Sequence, residues 1–208
     1  MKKTNQKGFT LIELLLVLAI IAALAVAAFI IFPRVQASNA ATSNATILNA
    51  AAAQIQALFP SARYSNLSTQ VACRGDVFPE NMKMGPTCAT TTSAGANTDL
   101  QNEWQGNITV NGATAAGAVV TTTAARYYRI DYANVPTKVC SKLAPALASN
   151  FGIVAIGPGA WAATAPAAGD TVVNTFNGAT TTDDVLNEAT VQSRCAAAAA
   201  VNITVVGR

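Results

Sequence analysis

The stretch that decides the fold reads GFTLIE at residues 8–13 and continues as LLLVLAIIAALAVAAFIIF from Leu14 to Phe32. The second part has neither charge nor proline, and its nineteen residues measure about 28 Å as an α-helix. That length matches the hydrocarbon core of a bilayer, so the sequence predicts a membrane-spanning helix. Glu13 is the exception, because a carboxylate inside a membrane is costly and usually has a partner.

The residues before this run suggest an unusual kind of processing. Three lysines within the first seven residues place the N-terminus in the cytoplasm by the positive-inside rule. In an ordinary secretory signal the small-residue cleavage site follows the apolar region. Here the small residue, Gly8, precedes it, so a cut after Gly8 would remove the lysines and keep the helix. The new amine would belong to Phe9, about 6 Å from Glu13 along a helix.

The run KGFTLIELL at residues 7–15 resembles the prepilin leader and N-terminal helix of type IV pilins and type II secretion pseudopilins. In that family a membrane aspartyl protease cleaves after the glycine and methylates the new amine. The resemblance implies a cleaved leader over residues 1–8, cleavage between Gly8 and Phe9, and N-methylation of Phe9. It also implies that Glu13 pairs with the Phe9 amine of a neighbouring subunit, which would compensate the carboxylate. The alternative is a plain membrane anchor in which Glu13 is incidental.

Hydrophobic patterning divides the rest of the chain. We expect a transmembrane half of the helix over residues 9–34, an amphipathic half over 35–60 and a globular head over 61–208. Pro33 should bend the helix, which then continues. The apolar stripe of the amphipathic half should dock on a sheet. The stripe comprises Ile47, Leu48, Ala51, Ile55, Leu58 and Phe59, and the polar remainder comprises Ser38, Asn39, Thr42, Ser43, Asn44, Asn49, Gln54 and Gln56.

Within the head, several segments carry secondary-structure signals. Residues 107–112 and 118–122 predict a hairpin around the Asn111-Gly112 turn, and residues 126–132 predict a strand. One helix is expected to start at 134–137 and end before Asn150, with Pro145 weakening its second half, and another to span about 183–193. Residues 201–206 predict a terminal strand. Residues 61–106 are irregular by pattern.

The order of these elements carries a second resemblance. NEWQG at residues 102–106, the strand leading to NVP at 134–136, the helix with Cys140, and Cys195 before a final strand resemble the globular domain of type IVb pilins. That group includes the toxin-coregulated and conjugative thin-pilus pilins, whose last strand joins the sheet. The eight-residue leader and Phe9 are more typical of type IVa pilins, so the subgroup stays open. The expected fold is α+β: a long N-terminal helix packed on an antiparallel β-sheet head that disulfides staple.

All four cysteines lie beyond the apolar run, on the predicted outer side of the membrane, where disulfides form and persist. Four cysteines allow three pairings. We favour Cys73–Cys88, which closes a short loop, and Cys140–Cys195, which ties the middle of the head to the C-terminal tail. Zinc is the competing interpretation, but the chain has no CxxC spacing and no histidine, so we expect no metal.

Charged residues are few and balanced in sign, and this composition argues against several functions. Charged residues make up 11% of the chain, and without the leader ten basic and ten acidic residues remain. A neutral surface has no broad field to attract nucleic acid or anionic lipid, so we expect no nucleic-acid partner. Arg126 and Arg129, beside Tyr127 and Tyr128, are a basic cluster that could bind nucleic acid, but two arginines in a strand more often form a solvated face, which is the interpretation we favour. Because the chain lacks histidine and any nucleophile constellation, we predict no catalytic residues, no enzyme activity and no cofactor.

The resemblance implies a structural subunit of a type IV pilus. The subunit would wait in the bacterial inner membrane as a single-pass protein with a cytoplasmic N-terminus, and then enter an extracellular helical filament. Its expected partners are the prepilin peptidase and N-methyltransferase, an inner-membrane assembly machinery, and further copies of itself joined by a non-closing contact. The alternative is a minor pilin or a type II secretion pseudopilin. Adhesion, motility, conjugation and DNA uptake all use this building plan.

Overall fold

The structure is a computed structural model of the 208-residue chain and describes residues 10–85, 88, 99–120, 125–158, 164–176 and 186–208. Gly8 and Phe9 lie outside these ranges. The helices are α1 (Leu11–Leu58), α2 (Thr69–Arg74), α3 (Thr137–Ala148) and α4 (Glu188–Cys195). The strands are β1 (Ile108–Ala113), β2 (Tyr127–Pro136), β3 (Ile153–Gly157), β4 (Thr171–Asn174) and β5 (Ala200–Gly207).

The five strands form one antiparallel sheet in the order β1-β2-β5-β3-β4. The terminal strand predicted at 201–206 is β5, and it lies in the middle of the sheet. Its register is fixed on both sides, because Val206 is opposite Arg129 of β2 and Ile153 of β3. A central strand is covered on both faces, which explains why five of its last six side chains are apolar or small and buried.

Helix α1 runs for 48 residues without a break at Pro33. Its outer half makes no core contacts, and burial begins at Ala37 and follows helical spacing up to Ile55. The predicted stripe is therefore correct for Leu48, Ala51 and Ile55 and wrong for Leu58, which is 44% exposed. The apolar side chains of this half enter one large core together with α3 and the inner face of the sheet.

The predicted Asn-Gly hairpin turn is wrong. Asn111 and Gly112 lie inside β1, and the chain turns instead over residues 114–118, where the amide of Thr114 donates to the carbonyl of Ala118. Gly112 is needed for a different reason, since a Cβ there would lie 2.3 Å from the carbonyl oxygen of Tyr64. Of the second predicted hairpin strand, the structure shows a single bridge between Ala113 and Val119, and residues 121–124 lie outside the described part.

Other predicted elements also differ in part from the observed ones. The helix expected to start near Asn134 begins at Thr137, because β2 continues to Pro136, which pairs with Ala200 of β5. Pro145 lies inside α3 without ending it. The segment expected to be irregular, residues 61–106, contains α2 and a 3-10 turn at Glu80–Met82. The last predicted helix is α4, and residues 183–185 of its expected range lie outside the described residues.

Two disulfides staple the head in the pairings favoured from the sequence. Cys73 of α2 is bonded to Cys88 across 15 residues, and Cys140 of α3 to Cys195 at the end of α4 across 55 residues. The first fixes a segment with little regular structure, and the second holds α4 against α3. Each bond closes a loop and so restricts the conformations of the unfolded chain.

Candidate assembly surface

The outer half of α1 is a continuous apolar surface. Every large apolar side chain from Leu11 to Val35 is between 48% and 81% exposed. Soluble proteins rarely expose apolar patches larger than a few hundred Å² without a function. Among the described residues, α1 is also the one helix long and apolar enough to cross a membrane. This half of the helix therefore has to be covered by lipid or by other protein chains.

Glu13 lies in the first turn of this surface, where its backbone amide donates to the carbonyl of Thr10 at 3.1 Å. A carboxylate in the first turn is favourable for the helix, because the N-terminal end of the dipole is positive. Within the described part of the chain, no cation forms an ion pair with Glu13. The next charged residue along α1 is Arg34, about 31 Å away. A cation for Glu13 would have to come from outside these residues.

The inner half of α1 is attached to the head through a polar network centred on the buried side chain of Asn44. The Nδ2 atom of Asn44 donates to Oε1 of Glu103 at 2.8 Å and to the carbonyl of Ala40 at 2.8 Å. The phenol of Tyr132 on β2 donates to Oδ1 of Asn44. Burial raises the pKa of Tyr132 above its usual range, and the negative charge of Glu103 adds to the shift. The prediction that Asn44 lies on the exposed polar side of the helix is therefore wrong.

The turn at residues 102–106 positions Glu103 for its hydrogen bond with Asn44. Oδ1 of Asn102 accepts from the amides of Trp104 and Gly106, and its Nδ2 donates to the carbonyl of Ala133 at 2.6 Å. A Cβ on Gly106 would lie 1.9 Å from that carbonyl oxygen, so glycine is required at this close approach. The indole of Trp104 packs edge-on against Tyr132, with ring centroids 6.2 Å apart. This turn thus fixes the angle between α1 and the sheet.

The opposite face of the sheet contains a buried ion pair. Nε of Arg129 donates to both carboxylate oxygens of Asp131, at 2.8 and 3.0 Å, and its Nη1 donates to the carbonyls of Gly117 and Thr164. Arg129 is fully buried and Arg126 is exposed. The prediction of a solvated arginine face is therefore wrong for Arg129. Its role is to hold two loops on the sheet, which leaves Arg126 as the exposed member of the supposed nucleic-acid cluster.

The chemistry available in the described residues is that of packing and anchoring. No group of three or more metal-ligating side chains occurs among them. Two shallow grooves flank the inner half of α1, one against α3 and the other against the segment 76–83, and each has a volume of about 530 Å³. The features that stand out are the exposed apolar half-helix, its single carboxylate and the rigid attachment of the other half to the head.

Comparisons with known proteins identify the family and the fold of this chain. The family model described as PilS N terminal matches residues 36–206, and the one described as prokaryotic N-terminal methylation motif matches residues 3–29. No match was found among curated proteins. The crystal structure of TcpA, a type IV pilin from Vibrio cholerae El Tor biotype, superposes with a TM-score of 0.53 at 13% identity, over 82% of this chain and all of that one.

A long helix with a free apolar half and a head built on an antiparallel sheet defines a type IV pilin fold. The chain belongs to the PilS N-terminal family of type IV pilins. Proteins of this family and fold are structural subunits and not enzymes, which confirms that prediction and the predicted fold class. The N-terminal motif is consistent with anchoring in a membrane before assembly.

Proposed function

We propose that this chain is a structural subunit of a type IV pilus. Before assembly, α1 would anchor it in the bacterial inner membrane, with a cytoplasmic N-terminus and the head on the outer side. Assembly would then move α1 from lipid into the core of a helical filament. The observation that carries this proposal is the continuous exposed apolar surface from Leu11 to Val35.

The composition of this surface suits both environments. Its backbone hydrogen bonds are made within the helix, as a bilayer requires. Six alanines between residues 19 and 28 reduce its bulk, and small residues allow helices to approach each other closely. Copies of one chain related by a non-closing contact would bury these surfaces against each other and extend into a filament.

Processing would supply the missing partner of Glu13. Cleavage between Gly8 and Phe9 by a prepilin peptidase would create the amine of Phe9, which the same enzyme would methylate. In the filament, that cation of one subunit would face Glu13 of the next. A carboxylate left without a partner among apolar helices is costly, so this pairing would favour one register between neighbouring helices. The motif match over residues 3–29 supports the proposal.

The experiment compares Glu13→Ala with Glu188→Ala, which removes an exposed carboxylate from the head. We expect Glu13→Ala to abolish surface filaments, as seen by electron microscopy of sheared material, while cleavage continues. Glu188→Ala should assemble normally. Mass spectrometry of the N-terminus reports cleavage and methylation, and the share of this chain in wild-type filaments separates a major from a minor subunit. Abundant normal filaments of Glu13→Ala would contradict the pairing.

A further inference from the structure

We propose that the head carries a basic collar that binds anionic phospholipid headgroups while the subunit is anchored. The collar comprises Arg34, Lys138 and Lys142. This inference rests on the proposed membrane anchoring and adds a second contact with the membrane, made by the head. Its basis is the orientation of the head on α1, the level of the three cations relative to the apolar run, and the absence of acidic partners for them among the described residues.

The contacts between β2 and α1 set the orientation of the head. The ring of Tyr128, near the start of β2, lies 5.4 Å from that of Tyr64, just beyond the distal end of α1. Four residues later, Tyr132 bonds to Asn44, which lies much closer to the apolar half. β2 therefore runs towards the membrane, and its last residue, Pro136, lies at the basal edge of the head. α3 starts at this edge.

The two lysines of α3 lie beside the point where α1 enters the head. Nζ of Lys142 is 3.4 Å from the carbonyl oxygen of Arg34. α3 starts at the basal edge, and its later residue Pro145 lines a groove whose α1 residues, 38–49, all lie further from the apolar run than Arg34, so α3 runs away from the membrane as α1 does. Lys138 precedes Lys142 by about one helical turn and shares its face, which places it about 6 Å nearer the membrane.

The collar lies at the height of the headgroups. Arg34 is the first charged residue after the nineteen-residue apolar run, and the burial of α1 by the head begins at Ala37. When the run spans the hydrocarbon core, Arg34 therefore reaches the outer interface, and the lysines beside it do too. Thr137 donates to the carbonyl of Ala198, so the uncharged loop 196–199 occupies the same edge and presents no acidic side chain to the lipid.

No acidic side chain neutralises the collar within the described part of the chain. All three cations are exposed, and the ion pairs found there involve other cations. Glu103 is held on Asn44, about 15 Å further along α1 than Arg34. Each lysine or arginine close to an anionic membrane surface strengthens binding about fivefold. Three such residues, added to an apolar anchor, would hold the head against the bilayer until the subunit is extracted.

The test uses the full chain in nanodiscs of phosphatidylcholine, with or without phosphatidylglycerol. An amine-reactive reagent labels the lysines, and mass spectrometry measures the rate at each. Lys138 and Lys142 should react about fivefold more slowly in the anionic discs, and high salt should restore their reactivity. Lys83, which pairs with Asp76 and Glu80, is the internal reference and should not change.

A pair of matched variants separates local from global charge. Arg34→Glu should abolish the protection of both lysines, whereas Arg63→Glu makes the same change at an exposed site next to Tyr64 and should leave the protection intact. Equal labelling in both lipids would overturn the collar while leaving the anchoring intact. Protection that follows the number of copies per disc, regardless of lipid charge, would overturn it in favour of a protein neighbour. Release of the chain from discs on flotation would overturn the anchoring and the collar together.

Discussion

Tyr132 on β2 donates a hydrogen bond from its phenol to Oδ1 of Asn44 on α1, and both side chains are buried from solvent. The amide nitrogen of Asn44 uses its two protons on Glu103 and on the carbonyl of Ala40. The side-chain amide of Asn44 is thus hydrogen-bonded to the sheet, to the turn at 102–106 and to its own helix, and both of its N–H donors are satisfied. This relationship makes the inner half of α1 a fixed part of the head, so that the outer half projects in a defined direction.

We expect Asn44→Ala to lower the free energy of unfolding of the head by about 1–3 kcal/mol, because the phenol of Tyr132 would be left buried without its acceptor. The matched control is Asn39→Ala, on the exposed side of the same helix, which should change stability by less than about 0.5 kcal/mol. Near-UV circular dichroism during denaturation of the full chain in detergent measures both. Equal stability of the two variants would show that the network does not hold α1 in place.

Alkaline pH should destabilise the head through its buried phenols. Burial raises the pKa of Tyr132 and of Tyr128 above their usual range. In the unfolded chain these phenols ionise near pH 10, so above about that pH the unfolded state binds fewer protons than the folded state, and stability falls as pH rises. Below about pH 10 their full contribution is present.

The variant Tyr132→Phe isolates one phenol from the others. It should be less stable than the wild type at pH 8, because it lacks the hydrogen bond to Asn44. Between pH 8 and pH 11, however, it should lose less stability than the wild type. Denaturation curves at both pH values give the two differences. An identical loss in both proteins would mean that Tyr132 does not contribute to the alkaline transition.

The sequence was sufficient for the parts of the fold that depend on local composition. A long run without charge predicts the exposed half of α1, and the alternation and β-branched residues near the C-terminus predict β5. Asn44 and Arg129 were misjudged because the burial of a polar side chain depends on partners distant in sequence. Asn44 bonds to residues 59 and 88 positions away. No local pattern contains that information.

Gly112 illustrates a different kind of wrong prediction. A glycine is required at this position, but not because the chain turns there. Asn-Gly between apolar residues is typical of a hairpin turn. Here the missing side chain instead makes room for the backbone at Tyr64, which lies on a segment that the sequence showed as irregular. The same limit applies to the collar, since Arg34 and the lysines of α3 are more than a hundred residues apart. Their proximity follows from the direction of β2, which the sequence does not reveal.

The two disulfides should contribute unequally. In the chain-entropy model, closing loops of 55 and 15 residues stabilises by about 4 and about 3 kcal/mol. We therefore expect replacement of Cys140 and Cys195 by alanine to cost about 1 kcal/mol more than replacement of Cys73 and Cys88. Each double variant is the control for the other, and denaturant midpoints under non-reducing conditions give the comparison. A larger loss from the shorter loop would show that packing around α2 outweighs chain entropy.

The ion pair between Arg129 and Asp131, on the face of the sheet opposite α1, should be essential for the stability of the head, because Arg129 is buried. Arg129→Leu would leave Asp131 without its cation and should cost about 3–5 kcal/mol. It would also release the carbonyls of Gly117 and Thr164, so limited proteolysis should cut their loops faster. Arg129→Lys should recover part of the stability, because an ammonium restores the charge but cannot reach Asp131 and the two loop carbonyls with the fixed geometry of a guanidinium. The matched control is Arg126→Leu at the exposed residue just before the same strand, which should change the free energy of unfolding by less than about 0.5 kcal/mol. If Arg129→Leu unfolds and is cleaved like Arg126→Leu, the arginine does not hold the loops on the sheet.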